Sequence, residues 1–508
     1  MTVETILRGA IAPLLTGRQR RALRAALAQR PKGGLAVLLA ASTALTGCAV
    51  GPDYVHPQTI AGAAQPFLGG GQPAVATTAL VDDQWWHLYN DPVLDGLIAD
   101  ALVANTDLRV AVANLEKSRA QLRGARSDRL PQTTIDASPT YGRLAQSQVL
   151  PGEPRQGWVV DSGLSVSYEV DLFGRVKRSI EAARGDVQAA QADADAVRVA
   201  VVGDTARAYA DATASALQIA VARQTVALLD RSVHVTASRV DAGRSEKLDL
   251  IRITALRDQR RADIAPFEAE RDAALFQLAT LTGRPPRDLP PTVLAATVPP
   301  RLDQPIPIGD GRALIARRPD IRAAERRLAA DTARIGIATS DLYPHISLGG
   351  SVGSTSAGLS DIFGGGPFRW LLGPLISWNF PNVEATRARI AGAKADTDGA
   401  LAGFDGTILV ALRETETALS AYGHEIERHA ALLSARDEAA RAATVTEHRQ
   451  REGTIDFLTV LDAQRTLADA QGTLAASDAR IAFAQIDLFR ALGGGWQNPP
   501  PLKVAAAR

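Results

Sequence analysis

The sequence is poor in several residue types that proteins use for cross-links and cores. Its 508 residues include one cysteine, one methionine and only 5% aromatic residues. A single cysteine excludes a disulfide bond within the chain. The 56 basic residues are balanced by 55 acidic ones, so no overall field favours nucleic acid or an anionic surface. With 46% hydrophobic and 22% charged residues, the chain still has the composition of an ordered protein.

Patterns that mark catalytic and metal sites are also missing from the sequence. It contains no Ser-His-acid pattern, no Gly-rich phosphate loop and no CxxC motif. The histidines are scattered, and His424 and His429 are five positions apart, which does not place both on one helix face to bind a metal. Charged helix faces are usually only solvated. We therefore predict no catalytic residue, no metal, no bound cofactor and no nucleic-acid partner, and we do not expect an enzyme.

The N-terminal region has the pattern of an export signal. Several basic residues precede an apolar run at 35–45, which at roughly 10 residues is too short to span a bilayer but suits a secretory signal peptide. The run ends in Leu45-Thr-Gly-Cys48, which resembles a bacterial lipobox. We predict a signal peptide over 1–47 and a covalent lipid on Cys48; the alternative is an ordinary buried cysteine. Ala49 stands where inner-membrane lipoproteins typically have aspartate, which implies the outer membrane.

The chain is an internal duplication. We predict a lipidated N-terminal segment at 48–92, a first repeat at 93–283, a connector at 284–310, a second repeat at 311–493 and a tail at 494–508. The connector contains eight prolines and cannot form a regular helix. Residues that recur at a nearly constant offset reveal the two copies: Asp107 and Asp320, Pro131 and Pro344, Gly243 and Gly453, Leu248 and Leu458.

Each repeat is predicted to contain a helix, two strands, a very long helix, a turn and another long helix. The first helix covers about 93–129 in one copy and 311–341 in the other, and it ends before a proline. Proline is absent from 155–265 and from 382–498, where strong helix formers predominate. An unbroken helix from Arg175 to about residue 240 would be roughly 100 Å long. A coiled-coil scaffold is the alternative explanation of such helices.

Four strand candidates alternate between apolar and polar residues. Such strands are typical of transmembrane barrels, but four cannot close a barrel, for which eight is the usual minimum. We therefore expect the chain to oligomerise, and three copies would leave a lumen where two would not; a soluble sandwich is the alternative. The clearest apolar positions are Ile135 and Ala137; Val160, Leu164, Val166, Tyr168 and Val170; Ile346, Leu348 and Val352; and Leu372, Ile376, Trp378 and Phe380.

Several motifs carry a resemblance to a known family. They are Gly51-Pro-Asp-Tyr54, Trp85-Trp86, Asp91-Pro92 with Leu94, Asn105-Thr-Asp-Leu108, Tyr168-Glu-Val-Asp-Leu-Phe-Gly174 and the run from Gly453 through Asp456 to Arg465. With the lipobox and the duplication, the chain resembles the outer-membrane efflux protein family, the TolC-like channels, in its NodT-type lipoprotein branch. The resemblance covers about 48–496.

The resemblance implies a mainly α fold with a small β part and a passive duct as the function. The protomer would belong to a homotrimer with a twelve-stranded β-barrel in the outer membrane, a long periplasmic α-barrel and an equatorial region that holds the connector. Its partners would be a periplasmic adaptor and an inner-membrane RND transporter, and its substrates amphiphilic compounds such as antibiotics. A TolC-like duct for type I protein secretion and a non-transporting lipoprotein scaffold are the alternatives.

The resemblance also implies a gate at the periplasmic end. The turns at Gly243 and Gly453 would lie at the helix-hairpin tips, where the adaptor would make contact. In the second tip, Leu458 and Asp462 match the closing positions, and Arg465 could pair with a carboxylate. The alternative is that Asp462 and Arg465 form an ordinary solvated pair.

The first copy departs from this pattern. The positions that correspond to Leu458 and Asp462 are Leu248 and Arg252, so that the first tip carries a base instead of a second acid. We include both residues among the candidate gate residues.

Overall fold

A computed structural model describes residues 49–77, 83–152, 154–356 and 368–497. Within these residues the chain divides into two compact units. Of the described residues, the first unit comprises those up to Pro52 and those within Asp128–Ser179 and Ile335–Ile390, and the second comprises those within Asp53–Ser127 and Ile180–Arg334 and from Ala391 onward. The predicted signal peptide and Cys48 lie outside the described residues.

The first repeat contains the predicted order of elements, with more breaks than expected. Its helices and strands are α1 (Pro92–Ala104), α2 (Thr106–Ser127), β2 (Gln132–Arg143), β3 (Gln156–Glu169), α3 (Arg175–Asp241), α4 (Lys247–Ala262) and α5 (Ile264–Leu281). The 67 residues of α3 form one unbroken helix, which confirms the prediction from the absence of proline.

The second repeat has the same order. Its elements are α7 (Gly311–Arg317), α8 (Pro319–Ser340), β5 (His345–Ser356), β6 (Phe368–Ser377), α9 (Glu384–Arg451) and α10 (Phe457–Ala491). The connector contains one short helix, α6 (Pro291–Ala295), and strand β4 (Ile306–Pro307), which pairs in parallel with β1 (Val75–Ala76). This small sheet was not predicted. None of the described helices is long and apolar enough to cross a membrane.

The prediction of a single first helix in each repeat was wrong. In the first repeat, the side-chain oxygen of Asn105 accepts hydrogen bonds from the N–H groups of Asp107 (2.9 Å) and Leu108 (3.1 Å), so that it caps α2 just after α1 has ended. In the second repeat, Arg318 has an extended backbone because Pro319 follows it, and a new helix begins at that proline.

The second long helix of the first repeat is also divided. It breaks at Asp263 into α4 and α5, whereas α10 of the second repeat is continuous. Pro266 lies in the first turn of α5. Proline has no N–H and would clash with the carbonyl of Ala262 in an unbroken helix, but it is tolerated in a first turn.

The four predicted strands form one antiparallel sheet in the order β2-β3-β5-β6. Their register aligns four apolar side chains in one row across the sheet, and each of them is at least 38% exposed: Ile135, Leu164, Val352 and Trp370. Strands β2 and β6 are the edges. The sheet therefore has an apolar face that its own unit leaves exposed, and this confirms the period-two interpretation.

The core of the second unit explains two of the sequence motifs. Trp85 is 1% exposed and stacks on Phe489 with ring centroids 4.7 Å apart. Asp91 caps α1 by accepting from two N–H groups of its first turn (2.9 and 3.3 Å), and Pro92 occupies the first helical position. The buried Tyr209 of α3 donates its hydroxyl hydrogen to the same carboxylate at 2.7 Å. The Trp-Trp and Asp-Pro motifs are thus packing and capping residues.

Candidate functional site

Both predicted tips are tight turns between long helices, and each turn depends on a glycine. Gly243 follows α3 with a φ of +67°, and Gly453 follows α9 with a φ of +79°. Just after them, the N–H groups of Arg244 and Thr454 donate to the carbonyls five residues earlier, at 2.7 and 3.0 Å. A left-handed residue and such a hydrogen bond together end a helix with its last carbonyls satisfied. A side chain at either glycine would be strained, because left-handed backbone disfavours a Cβ atom.

The second tip has the stronger helix start. The carboxylate of Asp456 accepts from the N–H of Thr459 at 2.9 Å and from its hydroxyl at 2.6 Å. These two hydrogen bonds lower the pKa of Asp456 below its usual range. In the first tip the corresponding residue, Glu246, makes no side-chain capping hydrogen bond. The beginning of α10 is therefore held in place more firmly than the beginning of α4.

A small apolar cluster determines which face of α10 is free. Phe457 and Leu461 pack into this cluster, whereas Leu458 is 46% exposed and Asp462 is exposed. The two candidate gate residues therefore lie next to the packed face but point away from the helices of their own chain. The cluster consists of Leu229, Val233, Leu250, Ile253, Leu256, Phe457 and Leu461.

The first tip also has one packed face and one exposed face, although the packed positions differ. Leu250, Ile253 and Leu256 of α4 pack inward, while Leu248 is 46% exposed and Arg252 is exposed. The structure thus gives the two leucines equivalent positions, although they are followed by side chains of opposite charge.

Arg465 does not pair with Asp462. Its Nε atom lies 4.0 Å from Oδ2 of Asp469, one turn further along α10. Arg260 of α4 donates to the other oxygen of the same carboxylate at 2.5 Å. Among the described residues, no hydrogen bond or ion pair of the Asp462 side chain is found. Asp469, which the sequence did not single out, therefore joins α4 to α10 several turns away from the tips.

The residues that follow Cys48 are held against the start of α3. Val50 donates its N–H to the carbonyl of Phe173 at 3.1 Å, and the guanidinium of Arg178, only 2% exposed, donates to the carbonyls of Val50 (3.2 Å) and Gly51 (3.3 Å). A Cβ atom on Gly174 would come within 2.6 Å of Ala49. Sequence analysis missed Arg178, whose only signal was its position one turn after the Tyr168 to Gly174 motif.

In the described part of the chain, no group of three or more His, Cys, Asp or Glu side chains is arranged to hold a metal ion. His429 of α9 instead contacts Asp478 of α10 at 2.7 Å, and Arg301 of the connector contacts the same carboxylate at 3.1 Å, so that these side chains join parts of the second unit.

Comparisons with known proteins agree on one family. A family model described as outer membrane efflux protein matches residues 97–284 and 312–494, which correspond to the two repeats. The chain is 33% identical over 489 residues to outer membrane protein OprJ of Pseudomonas aeruginosa, with 94% of this chain and 98% of OprJ covered. It is 32% identical to the toluene efflux pump outer membrane protein TtgF of Pseudomonas putida, with 91% and 96% covered. The solved structure of the outer-membrane channel OprN matches with a TM-score of 0.82 and 36% identity, over 89% of this chain and 100% of OprN. The chain therefore belongs to the outer membrane efflux protein family and has the TolC-like fold that its sequence predicted.

Proposed function

We propose that this chain is the passive outer-membrane channel of a tripartite efflux system. It would receive small amphiphilic compounds from an inner-membrane RND transporter through a periplasmic adaptor and release them outside the cell. The observation that carries the proposal is the duplicated arrangement of a two-faced sheet and two long helical hairpins, in a fold that matches the channel OprN over its whole length. The relative TtgF is named as part of a toluene efflux pump, which supports an apolar or amphiphilic substrate.

We infer that three copies assemble. The described part of the chain supplies four strands of 10 to 14 residues to this sheet, and within that part the edge strands β2 and β6 have no further partner strand. Unpaired sheet edges favour pairing with another chain, and in lipid every backbone group needs a partner. Three copies would pair all edges and enclose a lumen with the polar face inside.

A lipid on Cys48 is the proposed second anchor. The lipobox suggests it, and the docking of residues 49–51 by Arg178 would keep the acylated cysteine close to the ends of the strands. This location would suit a chain whose sheet lies in the same membrane.

Closure at the helix tips is the proposed gate. Leu458 and Asp462 are exposed on α10, and Leu248 and Arg252 are exposed on α4, on faces that the chain's own helices do not cover. A threefold assembly could bring three copies of such a face together. We propose that the adaptor contacts the tips around Gly243 and Gly453.

Deletion of the gene tests the transport function directly. The deletion strain should become sensitive to antibiotics, dyes, detergents or toluene, and the intact gene on a plasmid should restore tolerance. The negative control is a plasmid that carries Trp85→Ala. This change should destabilise the core of the second unit, so this plasmid should not restore tolerance. If the deletion changes no tolerance but stops the release of a secreted protein, the type I secretion alternative replaces the proposal.

Native mass spectrometry should give three copies, and a stable monomer would contradict the assembly.

A further inference from the structure

The polar face of the sheet has a notch where glycines of β3 and β5 lie side by side. One row across the four strands contains Asp136 of β2, Gly163 of β3, Gly353 of β5 and Arg369 of β6. Two positions before Gly163 in β3, Asp161 lies on the same face. The two central positions of the row therefore carry no side chain, while both ends of that row carry a charge.

The glycine at the centre of the notch is required by the close approach of two strands. A Cβ atom on Gly353 would lie 2.5 Å from the carbonyl oxygen of Ser162, which is closer than van der Waals contact allows. A side chain at this position would push β5 away from β3. The notch therefore results from the spacing of the two strands and does not depend on the rotamer of a neighbouring side chain.

Arg369 uses the notch to reach across a strand. Its guanidinium donates to Oδ1 of Asp161, although β5 lies between their strands, which places the two backbones about 10 Å apart. The hydroxyl of Thr355 donates to the same oxygen at 3.3 Å. The side chains of Arg369 and Asp161 are 53% and 45% exposed, so the pair is in contact with solvent.

Asp136 is left without a counter-charge. In the described part of the chain, its carboxylate has no hydrogen bond or ion pair, and it is exposed on an edge strand. The notch therefore contains two carboxylates and one guanidinium, that is, one uncompensated negative charge in each copy. The other carboxylate of β3, Glu169, is the last residue of that strand and is paired with Arg175.

We propose that Asp136, Asp161 and Arg369 contribute to the ion preference of the passage at the level of the sheet. Arg369 neutralises Asp161, and Asp136 remains as a carboxylate that favours cations over anions. The inference rests on the proposed function, because it requires the polar face to line the passage. With three copies, the notch would form a ring of three uncompensated carboxylates. A unit charge about 7 Å from a permeating ion in water changes its local concentration by roughly twofold to threefold.

Planar bilayers with a KCl gradient at about 0.1 M test the proposal, because charges are screened over about 10 Å at that ionic strength. The reversal potential gives the ratio of K⁺ to Cl⁻ permeability. Asp136→Asn should lower this ratio by roughly twofold or more, and Arg369→Gln should raise it by a similar factor. The exchange of Asp161→Arg with Arg369→Asp in one variant should leave the ratio at its original value.

Arg143→Gln is the matched control. Arg143 is paired with Gln156 in the register and lies on the opposite, apolar face of the same sheet, so its loss should not change the ratio. An unchanged ratio in both Asp136→Asn and Arg369→Gln channels would overturn the inference. Asp136 is exposed and without a partner in the described sheet, so its variant should assemble even if Arg369→Gln does not. If the unmodified protein forms no channel at all, the proposed function itself has failed.

Discussion

Replacing Leu458 and Asp462 together by alanine should open the channel without unfolding the tip. Complete burial of a leucine side chain contributes about 1.5 to 3 kcal/mol, and Leu458 is 46% exposed, so its truncation should cost the chain about 1 kcal/mol. Asp462 is exposed, and substitutions at such positions usually change stability by less than about 0.5 kcal/mol. Because these side chains contribute little to the fold of one chain, an effect on conductance would report on contacts between copies.

The measurement is single-channel conductance in planar bilayers, together with drug sensitivity of cells that lack the inner-membrane transporter. An exposed ion pair is typically worth less than about 1 kcal/mol, so closure must come from three equivalent contacts and from packing of the leucines. We expect the Leu458→Ala, Asp462→Ala variant to show higher conductance and to admit large antibiotics.

Phe457→Ala is the matched control on the same turn of α10. Phe457 packs into the apolar cluster with Leu461, so its truncation should cost about 2 kcal/mol or more and loosen the tip through lost packing. Unchanged conductance and drug sensitivity, in a Leu458 and Asp462 variant that still assembles in the membrane, would show that closure lies elsewhere. The first tip, at Leu248 and Arg252, would then be tested in the same way.

Three further predictions concern processing, stability and pH. Mass spectrometry of the purified protein should show a mature chain that begins at lipidated Cys48, and Cys48→Ala should still assemble but reach the membrane more slowly; an unmodified thiol would contradict the lipid anchor. In a denaturation assay, Asp91→Ala should lower the free energy of unfolding by about 2 to 3 kcal/mol. About 1 kcal/mol of this comes from the lost helix cap and about 1 to 2 kcal/mol from the lost hydrogen bond of Tyr209. Tyr209→Phe should cost only about 1 kcal/mol in the same assay. Although desolvation raises the pKa of Glu425, hydrogen bonds from Ser477 and Arg480 outweigh it and hold this pKa below its ordinary value. A lowered folded-state pKa contributes stability above the unfolded value of about 4.3 and loses it as pH falls, so the difference in melting temperature between the parent and Glu425→Gln should be present at pH 7 and shrink below about pH 4.

The breaks in the helices show where local sequence patterns are insufficient. Asn105 is compatible with a helix interior, and only its capping of α2 ends α1 there. Pro319 and Pro266 do mark the other two breaks, but a proline can kink a helix or begin one, and the pattern of apolar residues continues through both.

The sequence by itself determined the duplication, the order of elements in each repeat, the four two-faced strands and the positions of the two glycine turns. These features depend on periodicity, proline and glycine, which act over a few residues and are therefore visible in the sequence. Only the tertiary structure determined which side chains contact each other. It joined Arg260 to Asp469, placed Arg178 against the residues that follow Cys48, and allowed Arg369 to reach Asp161 across a strand. These contacts connect residues far apart in the chain, and a side chain's choice among several acids depends on distances that only the folded backbone sets.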